Sequence, residues 1–479
     1  MRTVVQLGFG VVFIICLLLA VLLQQGVWLA LPYVLLFLFV LVYYPLAAWF
    51  LLIFTLPLSA EFNFNETLGT DVPDEPLMIL FTGIFLLLLF SKQLKGMQEL
   101  LKSPVLFLVV LLLAWACFSA IFSTSAIVSV KYILAKTWYI IPFVVLPFFF
   151  LRGKKEIKGL AVALLVPMGI AVVYILFRHA QQGFLFDQAN HVVKPFFRNH
   201  VNYAAMLVCL LPVLYFMAGM VKSKKTAFFL YACLLLFLIA LFFSFSRGAW
   251  LALGVGVIAW VLIRLKGLPQ AFLFSLAVMF AGVFWFSKNN RYLSYHHNFK
   301  KTIYHGNLSD HMQATFRNTD LSNAERVYRW IAAVRMSNDR PLTGFGPGTF
   351  YENYKPYGVS YFRTWVSDNP ERSTVHNYFL LLLTEQGVPA VMLFCFLLYV
   401  LFVRVQRLYH SFTDPFYKRT ALCTGVVLAM IVTVNMLSDL IETDKIGSLF
   451  YLCCGMVIVL ERLMKMDAAC FKKVEPPEL

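Results

Sequence analysis

A few polar side chains stand out in a chain of 479 residues that is 61% hydrophobic and only 13% charged. Arg247 lies in FSFSRGAWLALG, Lys131 and Lys136 in VKYILAKTWY, and Arg198, His200 and Asn202 in FFRNHVNYAA, each beside or within an apolar run. Glu385 follows His376 by nine positions, about 13 Å deeper along a helix. A charge inside a bilayer costs at least about 2.5 kcal/mol, which makes each of these ionisable residues a candidate for function. Gly248 lets a large anion approach the backbone beside Arg247, and a helix beginning there would add its unpaired N–H groups to an anion site. Arg326 and Trp330, four apart in AERVYRW, share a helix face, and a guanidinium beside an indole makes a rigid bidentate donor for phosphate. Arg329 is expected on another face. His376 stands where the last polar stretch gives way to an apolar helix that Asn377 can cap, and a neutral imidazole can take a proton from a hydroxyl. The cations suit a diphosphate and the histidine suits a base. No carboxylate pair at glycosidase spacing and no DxD-type cluster is evident, so neither a metal nor another cofactor is expected.

The elements that must position these residues are membrane helices. A soluble domain is nearer half apolar and a quarter charged. Here apolar runs of about 20 residues recur. Candidate spans are 7–23, 27–42, 44–60, 77–91, 104–122, 131–151, 159–178, 201–221, 226–244, 248–263, 268–286, 377–402, 420–438 and 447–463. The fold class is all-α, a polytopic bundle of about 12–14 spans. A β-barrel is excluded, because its strands alternate and run only about 10 residues. The first run, after Met1-Arg2, has no small-residue cleavage site behind it and reads as a retained helix.

The formal net charge is +16. That does not point to nucleic acid, because the Lys and Arg residues concentrate in short loops: Lys92 to Lys102, Arg152 to Lys158, Lys222 to Lys225, Arg264 and Lys266, and Arg404 to Arg419. With the spans above, all fall on one side with the tail, and the positive-inside rule makes that side cytoplasmic. The acidic loop holding Glu61, Asp71, Asp74 and Glu75 falls opposite. Nine cysteines occur in no metal-binding spacing, and none lies in an outward segment. The organisation expected is 1–286 as N-terminal membrane helices, 287–375 as a large outward loop, 376–463 as C-terminal membrane helices and 464–479 as a cytoplasmic tail. The loop is too long to be a bare connector. Val327, Trp330, Ile331 and Val334 recur at helical spacing from Asn323 to Met336, with Ser322 or Asn323 as cap and Asp339-Arg340-Pro341 as stop. Gly344, Gly346, Pro347 and Gly348 then read as a tight turn. Glu385 is expected to pair with a buried cation, Lys136 being one candidate, or with a neighbouring helix. Asp439, Glu442 and Asp444 read as structural residues of a short outward turn.

Four segments, FRNHVNYAA (197–205), FSFSRGAWLALG (243–254), AERVYRW…DRPLTGFGPGTF (324–350) and STVHNYFLLLLTEQGVPA (373–390), together resemble the O-antigen ligase and O-antigen polymerase superfamily of bacterial envelope glycosyltransferases. The resemblance covers roughly residues 195–400. It implies a multi-pass protein of the bacterial inner membrane, with both termini cytoplasmic and a periplasmic site. It further implies transfer of a glycan from an undecaprenyl pyrophosphate carrier to a hydroxyl of lipid A-core or another glycan acceptor, with membrane lipids around the site. The family's essential arginines resemble Arg247 and Arg326, and its essential histidine resembles His376. Lys136 and Arg198 would assist in holding the pyrophosphate, with His200, Asn202, Trp330, Asn377 and Glu385 in support. Pro389 stands where the family usually has glycine and predicts a kink in that helix. A polysaccharide polymerase or a protein O-oligosaccharyltransferase shares the same donor chemistry, and a transporter of lipid-linked glycans is a more distant alternative.

Overall fold

The computed structural model describes residues 15–16, 27–63, 69–91, 94, 96–295, 321–359, 362, 367 and 373–474. Apart from residues 15–16, the first expected span lies outside what is described, as do the Ser322 and Asn323 side chains. The chain is a helical bundle. Short apolar helices α1 (Val27–Tyr43), α2 (Pro45–Thr55) and α3 (Asp74–Phe90) come first. They are followed by α4 (Pro104–Ile121), α5 (Ala126–Phe150), α6 (Lys154–Gln181), α7 (His200–Ala218), α8 (Lys224–Phe242), α9 (Arg247–Arg264) and α10 (Leu268–Ser287). A polar helix, α11 (Leu321–Asp339), precedes α12 (Tyr378–Ser411), α13 (Pro415–Met436) and α14 (Asp444–Val474). Among the described residues, ten helices are long and apolar enough to cross a membrane. They match the last ten expected spans. The second to fourth expected spans are helices of 17, 11 and 17 residues.

Two features were not anticipated from the sequence. The acidic loop is an antiparallel hairpin, with β1 (Ala60–Asn63) paired to β2 (Gly69–Val72), Glu61 opposite Asp71. Thr and Val in β2 favour strand, and Glu75 ties the hairpin to α3 by accepting from Thr70 Oγ1 at 2.7 Å and Asp71 N at 3.2 Å. The tail is helical as far as Val474, continuous with α14.

The centre of the bundle is α7, α13 and α14, whose apolar windows are 78, 78 and 89% buried, against 17% for α8 and α10. In lipid, helices associate by close backbone approach at small residues. Gly425 is such a point: a Cβ there would lie 2.5 Å from Val405 Cγ1 and 2.8 Å from Ile263 Cδ1, so α9, α12 and α13 meet on it. The basic loops gather at one end. Lys154 pairs with Asp414, Arg419 donates to the Gly219 carbonyl, and Arg462 donates to Leu151 O at 2.6 Å. The hairpin, the 186–200 stretch, α11, the glycine-rich turn and the 437–445 turn gather at the other.

Candidate functional site

His376 sits at the mouth of α12 with φ +55°, a left-handed backbone that costs a non-glycine residue of order 1–3 kcal/mol and persists only where its surroundings over-determine it. They do so here. Arg329 Nη1 donates to Thr374 O at 3.1 Å, Trp330 Nε1 to Val375 O at 3.1 Å, Asn377 Nδ2 to Met436 O at 2.9 Å, and Tyr378 N to Ser438 O at 3.1 Å. Asn377 Oδ1 accepts from Leu380 N at 3.0 Å and caps the helix, as its position implied. The backbone of 374–378 is thereby held between α11 on one side and the end of α13 on the other.

The ring of His376 remains a third exposed, and its Nδ1 lies 3.9 Å from Asp439 Oδ1, beyond hydrogen-bond length. The protein packed around it, and then the positive charges of Arg329 and Arg326, push its pKa down to about 3. The imidazole is neutral at physiological pH. Asp439 is pushed the other way, to about 6, chiefly by burial, while a hydrogen bond from Thr374 Oγ1 opposes the rise. Arg247 is the first residue of α9, and Ser246 makes no side-chain cap there, which leaves the helix's first N–H groups uncapped by it. Gly248 packs toward Leu437 Cδ1, 3.5 Å from where a Cβ would be, so α9 starts against the turn that carries Asp439. Its launch point is set by an aromatic cluster. Phe245, also left-handed, lies 5.4 Å from Phe186 and 6.0 Å from His179, and Phe184 stacks on Phe243 at 4.1 Å.

Below this, the glycine-rich segment turns back into the bundle. Irregular backbone at membrane depth must be satisfied by protein. Phe345 N donates to Thr384 O at 3.0 Å and Gly346 N to Glu385 O at 2.8 Å. Glu385 Oε2 and Oε1 accept from Gly348 N at 2.8 Å and Phe350 N at 3.0 Å. Ser119 and Ser129 donate to Thr343 O and Pro347 O, at 2.7 and 2.9 Å. Gly346, at φ +109°, passes so close to Ser123 that a Cβ would be 2.1 Å from its Oγ. Gly387, at φ +78°, breaks α12 and lets Val388 N donate to Pro341 O at 2.8 Å. The break expected from Pro389 is therefore taken up two residues earlier.

Several sequence expectations change. Glu385 does not pair with Lys136. It holds the glycine-rich turn, while Lys136 is 2.9 Å from Glu442 Oε2. Tyr132 donates to Glu442 Oε1 at 3.2 Å and receives Gln386 Nε2 at 3.2 Å, so the lysine's charge is already balanced inside a buried network. Lys131 is exposed. His200 Nδ1 engages Asn190 Oδ1 at 2.8 Å. Arg198 and Asn202 line a separate cavity with Glu442. Three residues were read from the sequence without a role at the site. Arg329 is buried, bound to Glu325 at 3.3 Å, and acts on His376. Residues three apart on a helix are neighbours as much as residues four apart, and Arg326–Arg329 carried that signal. Asp439 and Glu442 were readable only as acids in a turn.

A polytopic helical membrane protein whose polar cap and broken helix converge on one histidine is the class this geometry defines. Residues 232–395 match a family model described as O-antigen ligase, a stretch that runs from α8 into α12 and takes in Arg247, α11, the glycine-rich turn and His376. Over that stretch, about a third of the chain, the sequence is similar to the O-antigen ligase family, which supports an enzyme of glycosyltransferase type. No curated protein matches the sequence.

Proposed function

We propose that the protein transfers a glycan from an undecaprenyl pyrophosphate carrier to an acceptor hydroxyl, that of a lipid A-core sugar, at the periplasmic face of the inner membrane. The observation that carries this reading is His376, held neutral in a constrained backbone between buried and partly buried guanidiniums. Arg247 and Arg326, joined by Arg329, hold the diphosphate and stabilise the charge that grows on it as it leaves. The Nδ1 edge of His376 faces Asp439, so the Nε2 edge is the base. The acceptor O–H gives its proton to Nε2 while its oxygen bonds to the anomeric carbon. The bond from that carbon to the phosphate oxygen breaks, and its electron pair departs with undecaprenyl pyrophosphate. The carbon inverts, and the imidazolium, beside the Asp439 carboxylate, releases its proton to water. A bound diphosphate offsets the two guanidinium charges that lower the histidine, so the base strengthens when the donor is present. The guanidiniums supply the charge compensation a divalent metal would give, and the reaction proceeds without one.

The test is transfer by the purified protein in liposomes from an undecaprenyl-pyrophosphate glycan to lipid A-core, in EDTA. Product with an inverted linkage is expected, and at least about 100-fold less from His376→Ala. Strict dependence on a divalent cation, or full activity in His376→Ala, overturns the proposal. Product on a carrier-linked repeat alone makes the protein a polymerase instead.

A further inference from the structure

The turn at 439–442 has two sides. Asp439 faces His376. Glu442, one turn on, lines a cavity of about 1090 Å³ to which neither His376 nor Arg329 contributes. The cavity lies between the β1–β2 hairpin, the 187–202 stretch and the start of α14. Its volume lies just above the roughly 300–1,000 Å³ of small-ligand pockets and is more than one sugar ring needs. Among the described residues, six carboxylates line it (Glu61, Asp71, Glu75, Asp187, Glu442 and Asp444), against three cations, Lys194, Arg198 and Lys445. Two of the carboxylates are already matched, Glu442 by Lys136 and Asp444 by Lys445, each at 2.9 Å. The excess of acid repels phosphorylated or uronic ligands. Three amides, Asn190, Asn199 and Asn202, and the rings of Phe196 and Tyr139 complete the wall.

Asn202 supplies an independent observation. It is 8% exposed, and its Oδ1 has no hydrogen-bond partner among the described residues. A buried carbonyl left unmet costs about 1–3 kcal/mol, a cost that a donor arriving with a ligand removes. Asp71 adds a group that can act both ways, since burial and then the charge of Asp444 push its carboxyl up to about 7, half protonated at neutral pH. Carboxylates and amides that accept and donate, set beside aromatic faces, match the alternating hydroxyls and C–H faces of sugars.

We infer that this cavity is a second carbohydrate subsite, which binds an uncharged, hydroxyl-rich glycan segment of more than one ring, on the far side of the 439–442 turn from His376. That it feeds a transfer reaction rests on the proposed function; that it binds sugar does not. The test is saturation-transfer NMR on the full-length protein in nanodiscs, with panels of neutral and of phosphorylated or uronic oligosaccharides of two to six rings. Neutral members are expected to bind. Asn202→Leu, which removes no existing side-chain oxygen contact, should weaken them tenfold or more, and His376→Ala should leave them unchanged. No binding, a preference for the anionic panel, or undiminished binding to folded Asn202→Leu overturns the inference. Neutral binding in a protein that transfers nothing would sink the proposed function and leave the subsite standing. In the transfer assay, Asn202→Leu raises the KM of whichever substrate carries the segment. A rise for lipid A-core alone assigns the cavity to the acceptor, and a rise for the lipid-linked glycan alone assigns it to the donor chain.

Discussion

Glu385→Gln tests whether the glycine-rich turn is held by one carboxylate. Both oxygens of Glu385 are used, one by Gly348 N–H at 2.8 Å and one by Phe350 N–H at 3.0 Å, and the residue is 3% exposed. Glutamine keeps the size but offers only one oxygen. Its NH₂ would face the second N–H, so one of the two bonds is lost. A hydrogen bond of this kind contributes about 0.5–1.5 kcal/mol. A loss of one, at about 1.4 kcal/mol per decade, raises the local opening equilibrium of the turn roughly 2- to 12-fold. Hydrogen exchange by mass spectrometry on peptides covering 343–354 reads that ratio directly, with peptides of α13 as the internal control. Exchange faster by that factor in 343–354 and unchanged in α13 is expected. Wild-type exchange in the variant would refute the argument, since it would mean that the backbone bonds from Phe345 and Gly346 hold the turn without the carboxylate.

Other outcomes follow from the same geometry. His376→Ala should lower transfer by about 10²- to 10⁴-fold, the usual worth of a positioned base, with unchanged insertion in the membrane fraction. Arg247→Ala and Arg326→Ala should each lower kcat as well as raise the donor KM, measured by initial rates; a rise in KM alone would confine them to ground-state binding. The pH dependence has a definite sign. His376 is held below its ordinary value, and in the proposed mechanism it acts as the neutral form, so the base is present above its pKa and lost as pH falls through it. Removing the positive charge of Arg329 raises the pKa of both His376 and Asp439, and the acid limb of kcat/KM should move to higher pH. Arg329→Gln is best combined with Glu325→Gln, which avoids an orphaned buried carboxylate. An unmoved or lowered limb contradicts the assignment. Gly346→Ala should prevent the turn from docking, seen as loss of monodisperse protein on size exclusion, because its Cβ would overlap Ser123.

The spans were legible because lipid demands long apolar runs, and the basic loops gathered at one end because charge orients them. The helix at 321–339 was legible from its period, and the cap at Asn377 from its place before an apolar run. What stayed hidden was partner choice across distance. Lys136 was read against Glu385 because both lie in apolar runs, yet the lysine reaches up to Glu442 on a turn more than 300 positions later in the chain. The hairpin was hidden because four-residue strands carry too little periodicity to register. The glycine-rich turn looked ordinary because its importance lies in what it touches, the carbonyls of Thr384 and Glu385 and the hydroxyls of Ser119 and Ser129.

That turn joins parts of the chain that are made far apart in time. During synthesis, α4 and α5 enter the bilayer with Ser119 and Ser129 awaiting the carbonyls of Thr343 and Pro347. The knot cannot tie until Thr384 and Glu385 have emerged as well. Assembly of the working end is accordingly a late event, and chains cut short before α12 leave these hydroxyls to find other company in the lipid. Such fragments should be what membrane quality-control proteases remove first.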